Sequence, residues 1–390
     1  MNTTHRILFG LLGILLTGGT PLAASWYAGT FATGNESDIS SFAVGTNFFA
    51  YFARQNSTDL GQPWGNGDLF EGTYNNGWHY TPVYSSASAG AVSVSSGYIA
   101  FYRYVAHADA DGKLRLSIHS PFSDAWSTQL VDNLVTFCCD PSIDPTTPGL
   151  PVKIGTVVFG GKLYIFYIAA GAPVNHLSCA IWDGAKFTYQ VLDGNGNMTD
   201  PAPVVAPDGI RVYYTDYEGD ILREAHSKDG VVWFLSTIDG GCCGVHPSVG
   251  RRPSAIVHNG NVHVFYYGVP SGPRWLYTAG LYGGVWSFGV VETGIDGAGD
   301  VAAAPLVHAN TIHVFYLVGP NLYDSYSTGP GTFQTVVLDG FLGSSVGACC
   351  RLIPPLSAVE VNNSQPLAIY GALLDPYQSV YAVRSLTWLP

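Results

Sequence analysis

Short runs of apolar and aromatic residues recur along the chain, and Gly, Asn or Asp residues separate them. Seven of these runs are versions of one aromatic strand, at residues 48–52, 98–103, 163–168, 210–215, 262–267, 312–317 and 367–370. We align them on Tyr51, Tyr102, Tyr167, Tyr214, Tyr266, Tyr316 and Tyr370. The alignment gives a period near 50 residues, and self-similarity at such a period indicates a repeat architecture.

Each repeat predicts four strands in the same order. A short apolar strand and a tight turn such as Asn259-Gly260 precede the aromatic strand, and a third strand follows it. A further aromatic residue then opens a fourth strand; these are Trp78, Trp126, Phe187, Trp233, Trp286, Phe333 and Trp388. Four short strands joined by such turns form an antiparallel blade, and blades arranged around an axis protect their edges. The sequence therefore predicts an all-β fold, a seven-bladed β-propeller of four-stranded antiparallel blades.

The two ends of the chain predict how the ring closes. Only Leu389 and Pro390 follow Trp388, so the seventh unit lacks its outer strand. Residues 26–31 form a β-type segment that belongs to no other unit. We therefore expect one propeller domain over residues 25–390, closed by the N-terminal strand of the mature chain.

The first 24 residues have the pattern of a secretory signal peptide. An apolar stretch at residues 7–16 follows Arg6, and small residues at 23–25 offer a cleavage point. The stretch is too short to span a bilayer; the alternative is a buried N-terminal segment. We expect a secreted, extracellular protein. Four sequons fit a glycoprotein if the host is eukaryotic, at Asn35, Asn56, Asn197 and Asn362.

Charge and composition narrow the possible partners. The formal net charge is -12 and the chain has no run of Lys or Arg, whereas nucleic acids and anionic membranes attract basic surfaces. Tyr 24, Phe 19 and Trp 9 provide an aromatic content that disordered chains lack. We therefore expect a folded protein that neither binds nucleic acid nor inserts into a membrane.

The fourth unit carries a candidate binding site. Arg211 lies on the second strand, Glu224 on the third, and Trp233 opens the fourth. This unit resembles the repeat of the fungal fucose-specific lectins, in which an Arg, a Glu and an aromatic residue at these positions hold a sugar between neighbouring blades. The resemblance implies glycan partners, although that family has six blades and the Arg and Glu are expected in one unit only. The alternative is a structural ion pair over a packed indole.

Three pairs of adjacent cysteines form a second pattern. Each pair lies in the connection that enters an alternate blade and precedes a Pro; the pairs are Cys138-Cys139, Cys242-Cys243 and Cys349-Cys350. Secreted thiols are usually oxidised, and equivalent loops of different blades are held apart, so pairing between neighbours is the arrangement that all three share. Adjacent Cα atoms are about 3.8 Å apart, short for a disulfide.

Two roles for these pairs remain open. A sulfur face could serve as a platform for the apolar side of a ligand ring, or each pair could stiffen a long loop, with thiol redox work as a third reading. The remaining Cys179 lies on a third strand and is expected to be a buried free thiol.

Metal and catalytic signals are weaker. Asp109 with Asp111, and Asp216 with Asp220, lie in hairpin loops but lack the later Glu of a full calcium motif, which favours ordinary turns. The pairs His258/His263 and His308/His313 occupy equivalent places in successive units and indicate repeated strand surface. No cofactor is expected.

Residues 227–233 resemble the Asp-box turn of sialidases, but the turn occurs once, and no repeated pair of carboxylates for glycoside hydrolysis appears. The favoured function is a secreted, multivalent carbohydrate-binding lectin without catalysis. The alternatives are a sialidase-like propeller glycoside hydrolase and a protein-binding adhesion module.

Overall fold

The computed structural model describes residues 25–33, 35–44, 47–55, 67–74, 78–84, 91–109, 112–133, 137–138, 150–151, 153–170, 175–196, 198–216, 220–241, 244–246, 249–268, 275–295, 303–318, 321–339, 356–361, 365–375 and 380–389. The expected signal peptide lies outside these residues. None of the described residues belongs to a helix that is long and apolar enough to cross a membrane.

The described secondary structure consists of β-strands. The first half of the chain forms β1 (Ser25–Thr33), β2 (Asn35–Val44), β3 (Asn47–Gln55), β4 (Gly67–Tyr74), β5 (Trp78–Tyr84), β6 (Ala91–Ile99), β7 (Tyr102–Asp109), β8 (Leu114–Ser120), β9 (Ala125–Asp132), β10 (Phe137–Cys138), β11 (Leu150–Pro151), β12 (Gly155–Phe159), β13 (Lys162–Ala169), β14 (His176–Trp182) and β15 (Phe187–Asp193). The second half forms β16 (Met198–Ala206), β17 (Gly209–Asp216), β18 (Ile221–Ser227), β19 (Phe234–Gly240), β20 (Val249–His258), β21 (Asn261–Gly268), β22 (Trp275–Tyr282), β23 (Val285–Glu292), β24 (Ala304–His308), β25 (Thr311–Val318), β26 (Asn321–Gly329), β27 (Thr332–Asp339), β28 (Leu356–Val361), β29 (Gln365–Asp375) and β30 (Val380–Leu389).

Six four-stranded antiparallel sheets are each built from four consecutive strands, and we number them as blades 1 to 6: β2–β5, β6–β9, β12–β15, β16–β19, β20–β23 and β24–β27. A further four-stranded sheet, blade 7, has the order β1-β30-β29-β28. The short strands β10 and β11 form a separate two-stranded sheet, which the repeat pattern did not predict.

The first strands of the blades surround the central axis. Each contacts the first strand of the next blade, and β28 of blade 7 contacts β2 of blade 1. Hydroxyl pairs reinforce these inner contacts: the Oγ atoms of Ser40 and Ser96 lie 2.8 Å apart, as do those of Ser41 and Ser357. The sheets therefore form a closed ring, as expected for a propeller.

The predicted count of seven blades is wrong, because six blades are complete in sequence. Only six sheets are continuous in sequence; the remaining sheet is a composite of β28 to β30 and the N-terminal β1. Trp388 was predicted to open a fourth strand, but it lies in the third strand, β30. It pairs there with Trp26 of β1. The physical reason is that the last unit supplies three strands, so the N-terminal strand provides the fourth together with its aromatic position.

The predicted tyrosine alignment also needs correction in blades 1 and 2. Cross-strand pairing places Tyr51 at the position of Tyr213, because each pairs with a Glu on the third strand. In blade 2, His107 rather than Tyr102 occupies the position of Tyr214. His107 and Tyr214 each lie four residues after the second-strand residue that is in line with the fourth-strand aromatic position. The alignment failed in blade 2 because β7 begins only at Tyr102, near the end of the aromatic run at residues 98–103.

Where the alignment holds, the tyrosines join neighbouring blades. The Tyr214 hydroxyl donates to Asp193 at 2.7 Å and that of Tyr266 to Asp239 at 2.8 Å; Tyr167 donates to Asp132 in the same way. In each case a second-strand hydroxyl binds the carboxylate at the end of the preceding blade's fourth strand. Apolar clusters fill the remaining space between the blades.

The antiparallel order gives the ring two distinct ends. We call basal the end with the turns between first and second strands and between third and fourth strands. We call apical the opposite end, where the connections between blades run. All three cysteine-bearing connections leave the apical end, since they follow β9, β19 and β27.

Candidate functional site

Arg211 and Glu224 meet on the face of blade 4 that looks towards blade 5. Arg211 Nη1 donates to Glu224 Oε1 at 2.5 Å, and the other edge of the guanidinium binds Asp208, with Nη2 to Oδ2 at 2.5 Å and Nε to Oδ1 at 3.2 Å. Glu224 also accepts hydrogen bonds from Tyr213 at 2.9 Å and Ser236 at 3.1 Å. The pair is therefore held in one geometry by an exposed turn carboxylate on one side and two hydroxyls on the other.

The surroundings favour the charged forms of Arg211 and Asp208. Burial by itself lowers the pKa of Arg211, but the hydrogen bond to Asp208 and the charge of Glu224 outweigh it, so the pKa lies above its ordinary value. The hydrogen bond from Arg211 in turn lowers the pKa of Asp208. Two carboxylates around one guanidinium leave the group with a net negative charge.

The structure separates Trp233 from the other two predicted residues. Trp233 packs edge-on against Phe166, at 5.8 Å between ring centroids, in the core between blades 3 and 4. The indole on the side of blade 5 is Trp286, which packs edge-on against Tyr213 at 6.0 Å between ring centroids. Tyr213 in turn donates to Glu224. The structure does not bring Trp233 to this pair, because in blades 2 to 6 the fourth-strand aromatic packs against the preceding blade.

The side chains of Arg211 and Glu224 are mostly covered, with relative exposures of 10% and 7%. The accessible part of the group lies at its basal rim, where Asp208 and Phe234 are exposed. The His226 side chain lies nearby, and its Nε2 is buried without a hydrogen-bond partner. We call the group of Asp208, Arg211, Glu224 and Trp286 the 4/5 cleft.

Two equivalent carboxylates escaped the sequence analysis, which expected the Glu in one unit only. The position of Glu224 is the one paired with Tyr213; it is Glu71 in blade 1 and Asp324 in blade 6. In blade 6 the partner at the position of Arg211 is His313, whose Nδ1 lies 2.8 Å from Asp324 Oδ2. A cross-strand register, rather than alignment on a shared Tyr, would have found both acids.

In blade 1 the partner of the acid comes from the neighbouring blade. Arg103 of β7 donates to both oxygens of Glu71, from Nε at 2.8 Å and from Nη2 at 3.1 Å. Its guanidinium lies 4.8 Å from the Phe49 ring centroid and 5.8 Å from that of Trp126. A cation stacked on two aromatic rings and bound in a fork to a carboxylate is a well-ordered pair. Three inter-blade positions therefore combine an acid with a basic side chain.

The side chains of the six paired cysteines lie outside the described residues, so their pairing stays a prediction. Cys138 lies in β10, with its backbone opposite Leu150. Cys179 is a free, buried thiol, as predicted, and burial raises its pKa well above the ordinary value.

The flanks of the Cys242-Cys243 connection are fixed by one carboxylate. Asp239 accepts hydrogen bonds from the backbone N–H groups of Gly240 and His246, and its Oδ2 lies 2.6 Å from His246 Nδ1. Gly244 N–H donates to the Gly240 carbonyl. A Cβ at Gly244 would lie 2.1 Å from Gly240 N, so the turn requires glycine there. The described residues on either side of this cysteine pair are therefore tied together by Asp239 and by the Gly244–Gly240 hydrogen bond.

The turn that resembles an Asp-box has the hydrogen bonds of a compact polar turn. The Asp229 carboxylate accepts from the backbone N–H groups of Val231 and Val232, and Ser227 Oγ accepts from Gly230 N–H at 2.8 Å. These bonds are all local, which is sufficient to explain the residue pattern as a turn.

The acidic residues considered for calcium are engaged within the protein. Asp109 binds Arg115 and lies 3.1 Å from His107, while Asp216 accepts from Arg223 at 2.7 Å. Asp111 lies outside the described residues. Over the part of the chain that the structure describes, no cluster of three or more His, Cys, Asp or Glu side chains could hold a metal ion.

No protein-family model matches this chain, and no curated protein matches it either. Solved structures do resemble it. A triple arginine-to-alanine mutant of AofleA from Arthrobotrys oligospora is 12% identical, with a TM-score of 0.50 over 80% of this chain and 90% of that one. The polysaccharide lyase Uly1 is 9% identical, with a TM-score of 0.53 over 90% of this chain and 89% of that one.

Fungal fucose-specific lectins are among the structural neighbours, as the repeat in blade 4 predicted. The Aleuria aurantia lectin, described as a six-bladed β-propeller, is 15% identical, with a TM-score of 0.46 over 83% of this chain and 97% of that one. At identities this low, the matches with TM-scores of 0.50 and 0.53 show a shared fold alone and leave the ligand to the chemistry of the site.

Proposed function

We propose that this protein is a carbohydrate-binding lectin that holds a sugar at the 4/5 cleft without catalysing a reaction. The observation that carries the proposal is the Arg211–Glu224 pair at 2.5 Å, supported by Asp208 and flanked by an indole from the next blade. Charged donors and acceptors in fixed positions bind hydroxyl groups strongly, and aromatic rings cover the apolar face of a sugar.

The charge of the 4/5 cleft favours neutral sugars. Arg211 is already shared between two carboxylates, so a sugar acid would meet uncompensated negative charge. A neutral sugar can instead donate hydroxyl hydrogens to the exposed Asp208 carboxylate and accept from guanidinium hydrogens that Asp208 and Glu224 leave unused. Its apolar face would meet Trp286 and the exposed Phe234.

The acids Glu71 and Asp324 support a proposal of several sites around one ring. Both occupy the register of Glu224, and Asp324 Oδ1 is buried without a hydrogen-bond partner. Several weak sites on a rigid ring convert modest affinity into avidity for a glycan surface. Secretion suits such a ligand and remains part of the proposal, as do the apical cysteine pairs as ligand platforms.

A sugar-cleaving enzyme is the alternative. It would need two carboxylates free to act on one glycosidic bond, whereas Asp208 and Glu224 both bind Arg211. We therefore expect no release of sugar when the protein is incubated with glycans bound on an array. Measurable turnover would overturn the non-catalytic part of the proposal.

A matched pair of tryptophan variants tests the location of the site. Trp286 and Trp233 both pack edge-on against a second-strand ring, so Trp286→Phe and Trp233→Phe perturb equivalent contacts in different clefts. Calorimetry with the neutral glycan that binds best on an array should show at least tenfold weaker binding for Trp286→Phe and Glu224→Gln. Trp233→Phe should bind as the unmodified protein does. Equal affinity in all four proteins, with unchanged melting temperatures, would remove the sugar from this cleft.

A further inference from the structure

Blade 2 presents four aromatic side chains at the basal end. Phe101 lies in the turn between β6 and β7 and is 72% exposed, and Phe122 lies in the turn between β8 and β9 and is 84% exposed. Tyr102 links the two turns, with its ring centroid 6.4 Å from that of Phe122. Tyr98 is exposed at the end of β6. We call Tyr98, Phe101, Tyr102 and Phe122 the basal aromatic surface.

The backbone beneath Phe101 is strained. Ala100 has φ of 50° and Phe101 has φ of 104°, a region in which bulky residues are rare. At the position of Phe101, the equivalent turns of other blades have Gly or Asn, which tolerate positive φ: Gly161, Gly260 and Asn310. Backbone strain that is held at an exposed aromatic side chain points to a function for that side chain.

A carboxylate lies in the same turn as one of these rings. Asp124 ends the same turn as Phe122, and its side chain is 97% exposed. Its Oδ1 lies 3.1 Å from Nε2 of His119, a side chain that is 93% buried and whose Nδ1 has no partner. The neighbouring Trp126 Nε1 is also buried without a partner. Both nitrogens are shielded from solvent, so the exposed Asp124 carboxylate is the group of this set that a ligand can reach.

The composition of the surface indicates what covers it. All four side chains are aromatic, and a fully exposed carboxylate stands beside them. Insertion into lipid would bury that charge at high cost, and the net charge of -12 opposes an anionic membrane. A sugar fits both features, since its C–H faces stack on rings and its hydroxyls donate to a carboxylate.

We propose that the basal aromatic surface is a second carbohydrate-binding site, for a neutral glycan, formed within blade 2 and distinct from the 4/5 cleft. The class of ligand proposed for this surface rests on the proposed lectin function. The site itself includes no residue of the 4/5 cleft. Phe101 and Phe122 provide the stacking faces, and the exposed Asp124 carboxylate provides the hydroxyl acceptor. A glycan that spans two sugars would contact both turns.

The test uses the full mature chain and a glycan array, followed by calorimetry with the neutral oligosaccharide bound best. The double variant Phe101→Ala/Phe122→Ala removes both stacking faces. If the basal aromatic surface and the 4/5 cleft bind separate glycans, the number of glycans bound per chain should fall by one. If both sites contact the same glycan, its binding should weaken at least tenfold. Phe122→Tyr keeps a ring and should bind normally. Tyr189→Ala removes another exposed ring, on blade 3, and should also bind normally.

A second variant distinguishes the effect of backbone strain at Phe101 from the effect of its aromatic side chain. Phe101→Gly relieves the positive φ and should raise the melting temperature while glycan binding falls. If the double variant binds every glycan as the unmodified protein does, the inference is overturned while the proposed function stands. If the unmodified protein binds no glycan, the proposed function fails as well. Binding to phosphatidylcholine vesicles that the double variant loses would overturn the inference in favour of a lipid surface.

Discussion

The hydroxyl of Tyr266 offers a direct measure of how firmly neighbouring blades are joined. It donates to Asp239 Oδ2 at 2.8 Å, and both residues are fully buried. Tyr266→Phe removes this donor and leaves the ring in place. Asp239 keeps the Gly240 and His246 N–H groups and the His246 imidazole. The loss is therefore one hydrogen bond to a charged acceptor, about 1.5–3 kcal/mol of unfolding free energy.

Urea unfolding followed by fluorescence measures this loss, because a midpoint that falls with an unchanged slope reports stability alone. Tyr214→Phe removes the equivalent bond to Asp193 and should cost a similar amount. Tyr326→Phe is the control: its hydroxyl bonds Gln334 at the surface, so the expected change is below about 0.5 kcal/mol. A Tyr266→Phe midpoint equal to that of the Tyr326→Phe control would refute the role of this bond between blades.

Three further predictions concern the ring as a whole. Deletion of residues 26–31 should lower the melting temperature of the entire domain, because it removes most of the strand that pairs with β30; an unchanged melting temperature would contradict ring closure by this strand. Burial raises the pKa of Tyr104 and Tyr316 to about 12, so the folded protein keeps protons that the unfolded chain releases near pH 10. Stability is then full below pH 10 and falls as pH rises towards 12, and urea midpoints that stay level from pH 9 to 11.5 would disprove it. Intact-mass and peptide mapping should find six oxidised cysteines in adjacent pairs with Cys179 reduced, and a disulfide between different pairs would disprove the arrangement.

The repeat was readable from sequence because each blade must bury the same second strand. Residues such as Tyr167, Tyr214 and Tyr266 recur since each serves both the core and a carboxylate of the preceding blade. Closure by the N-terminal strand was predictable for a similar reason: a sheet that lacks a strand leaves an edge exposed.

The site was less predictable, because its members come from different blades. Trp233 follows Arg211 and Glu224 in sequence, yet Trp286 lies beside them, since each indole packs on the blade before it. Arg103 reaches Glu71 across the same kind of boundary. Spacing along a chain describes one blade, and these contacts depend on how two blades pack. The exposed Phe101 has no sequence signal of its own, because positive φ at a Phe is visible only in the folded backbone.

The composite blade sets an order in time for folding. Ser25 pairs with Leu389, so the first strand of the described chain waits for the last one to be synthesised. Until then β1 has no partner, and six continuous blades can form while the ring remains open. Contacts between such distant parts of a chain form slowly, and unpaired strand edges in partly folded chains promote aggregation. Completion of the final strand, rather than of any blade core, is therefore the event that commits a newly made chain to its closed form.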